Sequence, residues 1–121
     1  MKRRGFDAGP IDRAIETLCE QGYLDDARFA RLFAQDRRAL EQWGSDRIRL
    51  TLSARGIDRE LIEGALPDGE LDCAVAVLRR RFAIPPRDRR ERDRALGVLL
   101  RKGYGQELAL EALSTYIRGA A

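Results

Sequence analysis

The sequence predicts an all-α fold of tandem three-helix repeats in an elongated array. The first observation is an internal repeat, since the fifteen residues LSARGIDRELIEGAL at 52–66 return as LLRKGYGQELALEAL at 99–113 with six identities. The second is the helical spacing of the apolar residues after each repeated glycine. The third is the lack of a sustained alternation of β-branched and polar residues, which strands would require. An internal period of this kind indicates a repeat architecture.

The repeat extends beyond this stretch. At the same 47-residue offset, residues 24–66 and 71–113 share 11 identities without an insertion, where chance would give about three or four. A weaker third copy begins at Arg4-Gly5-Phe6, and the helix expected before Lys2 is not among these 121 residues. Either the true start lies upstream or the first repeat is shortened. The sequence therefore predicts a truncated first repeat over residues 1–21, a second repeat over 22–66 and a third over 67–121.

Each full repeat is predicted to turn at a single glycine. A helix commonly ends on a residue with positive φ, which glycine adopts without steric cost, so Gly56 and Gly103 are expected to close the helices before them. Ile57 and Tyr104 come next and are expected to pack into the corner. The apolar residues that follow have helical spacing, which predicts a second helix after each corner.

The N-terminal part is predicted to hold two helices separated by a short junction. The first is expected from about Ala8 to Gln21, with Pro10 tolerated in its first turn and Gly22 closing it. Tyr23 and Leu24 are expected to pack this junction.

Two carboxylates, Asp25 and Asp26, follow the junction. They could form a metal-binding or acid–base pair, but carboxylates favour helix N-termini, so capping of the next helix is the preferred interpretation. That helix is expected to run to about Leu40. Its apolar side is expected to carry Phe29, Leu32 and Phe33.

Five further helices are expected along the rest of the chain. Ser45 is the predicted cap of a helix that ends at Arg55, and Pro67 stops the short helix that follows the corner. A helix over 71–82 precedes the stiff link Ile84-Pro85-Pro86, whose prolines disfavour helical structure. The last two helices are expected from about Arg87 to Lys102 and from Gln106 to Ile117.

The residue types that carry most enzyme chemistry are scarce. The chain has no histidine, which is the commonest general base, and its isolated glycines form no phosphate-binding loop. Cys19 and Cys73 lack basic neighbours and are expected to be buried free thiols of a cytosolic protein rather than a disulfide. We therefore predict a protein that is not an enzyme and that holds neither a cofactor nor a metal.

No targeting or membrane-spanning segment is recognisable in the sequence. Met1-Lys2-Arg3-Arg4 is followed by Gly5 and Asp7 rather than by the apolar run of a signal peptide. No apolar segment approaches the roughly 18 residues that a transmembrane helix needs. The expected location is the cytoplasm, away from the membrane.

Positive charge is concentrated in one stretch. The net charge of the chain is +3, yet residues 79–94 carry eight arginines against three acids. This stretch is either a solvated face with ion pairs to Asp88, Glu91 and Asp93 or a surface for nucleic-acid phosphates or an acidic protein. The candidate partner-binding or DNA-binding residues are Arg79, Arg80, Arg81, Arg87, Arg89, Arg90, Arg92 and Arg94.

Two other features resemble nucleic-acid-binding elements. Trp43, the only tryptophan, lies in a connector beside Gly44 and is expected to pack at a junction rather than stack on bases. The helix–corner–helix unit is similar to a DNA-reading helix-turn-helix. Its second helix carries Glu60 and Glu63, however, and these carboxylates would repel phosphates.

The segment GYLDDARFA at residues 22–30 resembles the signature of the RecX family of recombinase regulators. The likeness extends through RIRLTL at 47–52 and RGI at 55–57, and the stretch 99–113 resembles that family's last repeat. The motif residues with an expected structural role are Gly22, Tyr23, Leu24, Asp25, Asp26, Phe29, Gly56 and Gly103.

The resemblance implies a bacterial cytoplasmic protein made of three-helix repeats, and we expect it to be a monomer. It further implies binding along the groove of the RecA–DNA filament, with DNA contacted weakly or as part of the filament. Modulation of ATP hydrolysis and strand exchange, mostly inhibition, is the implied outcome. The alternative hypothesis is a small helical DNA-binding protein that acts through its arginine-rich helix.

Overall fold

Residues 10–120 form six α-helices and no β-strand in the computed structural model, which describes these residues and the side chains of 17 and 19–119. The helices are α1 (Pro10–Asp36), α2 (Ser45–Ala54), α3 (Arg59–Ala65), α4 (Glu70–Arg81), α5 (Arg89–Lys102) and α6 (Gln106–Ala120), and a π-helical turn over Arg37–Glu41 follows α1. Helices α1–α3 form one unit and α4–α6 the next, which confirms the predicted all-α fold of three-helix repeats. The weak copy expected at residues 4–6 lies outside the described part of the chain.

The two repeated corners share one backbone geometry. Gly56 and Gly103 have φ values of 84° and 99°, which an L-residue adopts only at a steric cost. In both corners the amide of the residue after the glycine donates to a leucine carbonyl five residues back, at 3.1 Å. This closure is typical of the Schellman motif at helix ends. The predicted glycine corners and their 47-residue spacing are therefore confirmed.

Each unit has its own hydrophobic core. The buried residues of the α1–α3 core are Ala30, Ala34, Ile48, Leu52, Ile62 and Ala65. Those of the α4–α6 core are Ala74, Val75, Val77, Leu78, Ala95, Val98, Leu99, Tyr104, Ala109, Ala112, Leu113 and Tyr116. The apolar side expected for α1 is only partly correct, because this helix turns its small alanines inward and leaves Leu32 53% exposed.

Helix α1 is one continuous helix of 27 residues, about 40 Å long at 1.5 Å per residue. The predicted helix end at Gly22 and the predicted cap at Asp25 or Asp26 are therefore wrong. Glycine inside a helix costs only about 1 kcal/mol relative to alanine, so Gly22 does not end the helix by itself. Residues 19–26 are all exposed, so tertiary packing does not favour a helix end there either. The predicted repeat boundary at residue 22 stays a prediction.

Two smaller expectations are also wrong. The cap position of α2 belongs to Gly44, and Ser45 is the first helical residue; the Ser45 hydroxyl accepts a hydrogen bond from buried Arg38 at 3.0 Å. Both cysteines are free thiols, but Cys19 is exposed and Cys73 is only partly buried. Cys19 is exposed because it lies on the unpacked part of α1.

A contact between two glycines joins the units. The amides of Gly44 and Asp46, at the start of α2, donate to the carbonyls of Lys102 and Gly103 at 2.7 and 2.9 Å. These bonds satisfy amides that the N-terminus of a helix otherwise leaves without partners. A Cβ on Gly44 would lie 2.4 Å from the carbonyl carbon of Gly103. Glycine is therefore required for the two backbones to meet.

Side chains of the third-repeat corner complete this junction. Buried Tyr104 donates its hydroxyl to the Gln42 carbonyl at 2.7 Å. The Lys102 ammonium donates to the Glu41 carbonyl at 2.9 Å. Both carbonyls lie at the end of the π-helical turn, where terminal carbonyls need external donors. The corner of one repeat thus caps the first helix of the repeat before it.

Candidate interaction surfaces

All eight arginines singled out in the sequence lie on the surface of the α4–α6 unit, and we call this set the α4–α5 arginine surface. Arg79–Arg81 form the last turn of α4, and Arg87 lies in the link to α5. The remaining four occupy the first two turns of α5, and every one of the eight is exposed. Three positive charges at the C-terminus of α4 also interact favourably with the helix dipole.

Most of these arginines have no carboxylate partner. Arg87 lies 3.7 Å from Glu91, while the other seven make no ion pair within 4.0 Å to any residue of the described chain. The Asp88 carboxylate accepts from the Glu91 amide at 2.9 Å, and the Glu91 carboxylate accepts from the Arg87 amide at 2.7 Å. Two of the three neighbouring acids therefore serve to cap α5. The surface stays positive because its eight arginines outnumber the three acids of residues 79–94.

Three members of this surface line one groove. Arg81, Arg87 and Arg94 border a cavity of about 330 Å³ at the α4–α5 link, and Ile84 and Pro85 form part of its apolar wall. The Glu91 carboxylate also lines this cavity, but three guanidinium groups beside apolar side chains still suit an anionic group, a phosphate or a carboxylate, attached to an apolar one. The other five arginines do not line this groove.

A second arginine set lies on the α1–α3 unit, where guanidinium groups alternate with aromatic rings. The order along the row is Arg47, Trp43, Arg37, Phe33, Arg55 and Phe29, and the five successive distances from guanidinium carbon to ring centre are 4.1, 5.5, 5.1, 5.5 and 5.2 Å. All five lie within the range of about 6 Å for cation–π attraction. We call this row the cation–π ladder.

The ladder is continuous but only partly neutralised. The Phe33 ring centre lies 5.7 Å from that of Phe29 and 6.0 Å from that of Trp43. Arg37 forms an ion pair with Glu41 at 2.7 Å. The other two guanidiniums, of Arg47 and Arg55, are exposed and have no carboxylate within 4.0 Å among residues 17–119.

Neither surface carries a recognisable metal site. Across the described residues there is no group of three or more histidine, cysteine, aspartate or glutamate side chains that could hold a metal ion. None of the helices within 10–120 combines the length and the apolar character that crossing a bilayer requires.

Known proteins similar to this chain are regulatory proteins. The chain is 36% identical over 107 residues to the regulatory protein RecX of Thermus thermophilus, an alignment that covers 88% of this chain and 70% of that protein. It is 41% identical over 108 residues to the regulatory protein RecX of Halorhodospira halophila, covering 86% and 66%. The chain belongs to the RecX family.

Further comparisons agree with this membership. The regulatory protein RecX of Chromohalobacter salexigens is 35% identical over 115 residues, covering 92% of this chain and 74% of that protein. The family model for the second three-helix domain of RecX matches residues 25–66, which include α2 and α3. The chain spans about two thirds to three quarters of the length of these RecX relatives. A comparison with solved structures finds no match.

Apart from Ala30, which belongs to the α1–α3 core, and the partly buried Ala27, the RecX-like signature lies on the exposed part of α1 and not at a packed corner. Tyr23 and Leu24 are 48% and 60% exposed, so the expectation that they pack a junction is wrong. Asp25 forms an ion pair with Arg28 at 3.3 Å on the same helix. Phe29, the last motif residue of this segment, belongs to the cation–π ladder.

The sequence did not predict the ladder. Its rings and guanidiniums come from the end of α1, the π-helical turn, the connector, α2 and the first corner, so no contiguous pattern marks it. The only local signal is the spacing of Phe29, Phe33 and Arg37, since residues four apart lie on one helix face.

Proposed function

We propose that this RecX-family chain regulates the RecA recombinase and catalyses no reaction itself. It binds along the RecA–DNA filament and lowers the rates of ATP hydrolysis and strand exchange. The observation that supports this function is family membership, because the relatives at 36% and 41% identity are named regulatory proteins RecX. The proposal places the chain in the bacterial cytoplasm as a monomer.

The architecture is compatible with binding along a polymer. Two three-helix units are joined through backbone hydrogen bonds at the Gly44–Gly103 contact, so the units present their surfaces in a fixed relation. One unit carries the cation–π ladder and the other carries the α4–α5 arginine surface. A filament that repeats protein and DNA sites at regular intervals can engage both surfaces, and the second contact then gains from effective concentration.

Cosedimentation tests filament binding directly. Filaments are assembled from RecA and single-stranded DNA, and pelleting of the chain with filaments is compared with pelleting on the same DNA without RecA. We expect the chain to pellet with filaments at concentrations at which it stays in the supernatant with DNA alone. Equal pelleting in the two samples, or none in either, would contradict the proposal.

Direct DNA binding through the α4–α5 arginine surface is a second candidate function. The seven arginines without a carboxylate partner favour it, because unpaired guanidiniums release counterions when they meet phosphates. Replacing the groove residues as R81Q/R87Q/R94Q is matched by R89Q/R90Q/R92Q, which removes the same charge outside the groove. If the whole surface binds DNA, each triple variant should make the negative slope of log K against log salt less steep by about 2 on single strands. Binding of the unaltered chain that does not respond to salt would exclude this function.

A further inference from the structure

We infer that the cation–π ladder is a protein-docking surface whose partner supplies carboxylates to Arg47 and Arg55. This assignment rests on the proposed function. In this assignment the α1–α3 unit binds RecA protein, and the α4–α5 arginine surface binds DNA phosphates.

The guanidiniums of the ladder are held in place before any partner arrives. Arg47 lies 4.1 Å from the Trp43 ring centre, and Arg55 lies between the rings of Phe33 and Phe29 at 5.5 and 5.2 Å. Stacking fixes the plane of a guanidinium and leaves its N–H edge available for bidentate bonds to a carboxylate. Such pre-organisation reduces the entropy that binding would otherwise cost.

The charge of the surrounding unit favours a protein over a nucleic acid. Residues 25–66 carry eight arginines and eight acids, whereas residues 79–94 carry eight arginines and three acids. Affinity for nucleic acid depends on a surplus of positive charge that neutralises many phosphates. A unit without surplus positive charge, but with two unpaired guanidiniums, is instead complementary to a protein surface with a few well-placed carboxylates.

Two of the three rings of the ladder, Trp43 and Phe33, are not available to bases. Trp43 contacts the guanidiniums of Arg47 and Arg37, and Phe33 contacts those of Arg37 and Arg55. Proteins that hold single strands stack bases on open aromatic faces. Because the two central rings each contact two guanidiniums, stacking of a base would first require a guanidinium to leave.

Exposed apolar side chains at the Phe29 end of the ladder supply the rest of an interface. Phe29 and Leu32, three residues apart on α1, are 38% and 53% exposed. Interface centres combine aromatic residues and arginine with apolar contact area. Exposed apolar side chains next to stacked arginines therefore match a protein partner better than a phosphate backbone.

Paired substitutions in the full-length chain test the assignment. R47Q/R55Q removes both unpaired guanidiniums, and R31Q/R59Q removes two exposed arginines of the same unit that lie outside the ladder. A third variant, R47K/R55K, keeps the charge but loses the planar, bidentate group. Affinity is measured for RecA filaments on single-stranded DNA and for the same DNA alone, with thermal unfolding followed by circular dichroism.

We expect R47Q/R55Q to bind filaments at least about tenfold more weakly than the unaltered chain, and R31Q/R59Q to stay within about twofold. R47K/R55K should also bind more weakly than the control, and since it keeps both charges it carries the test if R47Q/R55Q unfolds. Affinity for DNA alone should fall no further in R47Q/R55Q than in R31Q/R59Q.

Each other result overturns the assignment in a recognisable way. Filament affinity of R47Q/R55Q equal to that of R31Q/R59Q would mean that the ladder only braces α1 against α2. An equal loss on filaments and on DNA alone would make the ladder a nucleic-acid surface. Failure of the unaltered chain to bind filaments would remove the proposed function itself, and that failure is visible before any variant is compared.

Discussion

The corners at Gly56 and Gly103 have the same backbone conformation, but the Gly103 corner is packed against α2 and the Gly56 corner is open. A Cβ on Gly103 would lie 2.2 Å from the Cβ of Arg47, whereas a Cβ on Gly56 would have no described atom within 4 Å. The repeated sequence therefore specifies the backbone turn. Contacts with the neighbouring unit determine whether the turn also joins two repeats. One corner only ends a helix, while the other ends a helix and joins two repeats.

Gly103→Ala should have the largest effect on stability. The substitution forces a side chain into a left-handed conformation, at about 1–2 kcal/mol, and into space next to the backbone nitrogen of Arg47 at 2.7 Å. Overpacking of this kind adds about 1–3 kcal/mol, so we expect the free energy of unfolding to fall by about 3 kcal/mol or more. Chemical denaturation measures this value, and a loss no greater than that of Gly56→Ala would contradict the proposed role of the junction.

Gly44→Ala tests the junction without backbone strain. Gly44 has φ of −77°, which any residue adopts, so its only penalty is the 2.4 Å approach to Gly103. We expect a loss of about 2 kcal/mol, within the usual range for overpacking. Fluorescence of nearby Trp43 during denaturation reports on this junction, and an unchanged midpoint would show that the units can separate without cost.

Gly56→Ala is the matched substitution at the open corner. The φ of 84° still penalises a Cβ, but the surrounding space is empty of described atoms. The expected loss is therefore about 1–2 kcal/mol from the left-handed conformation alone. If denaturation shows a loss as large as that of Gly103→Ala, the difference between the two corners has no energetic meaning.

Tyr104→Phe should have the smallest effect on stability and should remove the pH dependence that Tyr104 contributes. Loss of the hydroxyl leaves the Gln42 carbonyl without its donor, at about 1 kcal/mol. Burial raises the pKa of Tyr104 above its ordinary value, so the neutral phenol stabilises the fold below about pH 10, and this stability is lost as the pH rises further. Denaturation between pH 8 and pH 11 should therefore show a steeper decline for the unaltered chain than for Tyr104→Phe.

The sequence was sufficient for the corners because a glycine turn followed by an apolar stripe is a local pattern. It was insufficient for Gly22 and Asp25, where a glycine and an acid in the same kind of arrangement lie inside α1. The local residues are compatible with a helix end at the glycine corners and also at Gly22, and tertiary packing determines whether the helix ends there. The exposed segment 19–26 has no such packing.

The two surfaces also differ in whether the sequence could predict them. The α4–α5 arginine surface could be predicted because its charges are nearly contiguous in the chain. The cation–π ladder could not, because Phe29 and Arg55 meet only after α1, the connector and α2 have folded together. Residues that are distant in sequence and form a surface only when folding brings them into contact produce no recognisable pattern in the sequence.

The rate of ATP hydrolysis by RecA on single-stranded DNA tests most directly whether the chain regulates RecA. The rate is followed as the chain is added from substoichiometric to stoichiometric amounts, with R47Q/R55Q run in parallel. We predict a dose-dependent fall in turnover that the ladder variant reproduces only at higher concentration. A turnover that stays constant over the whole range for the unaltered chain would contradict the claim.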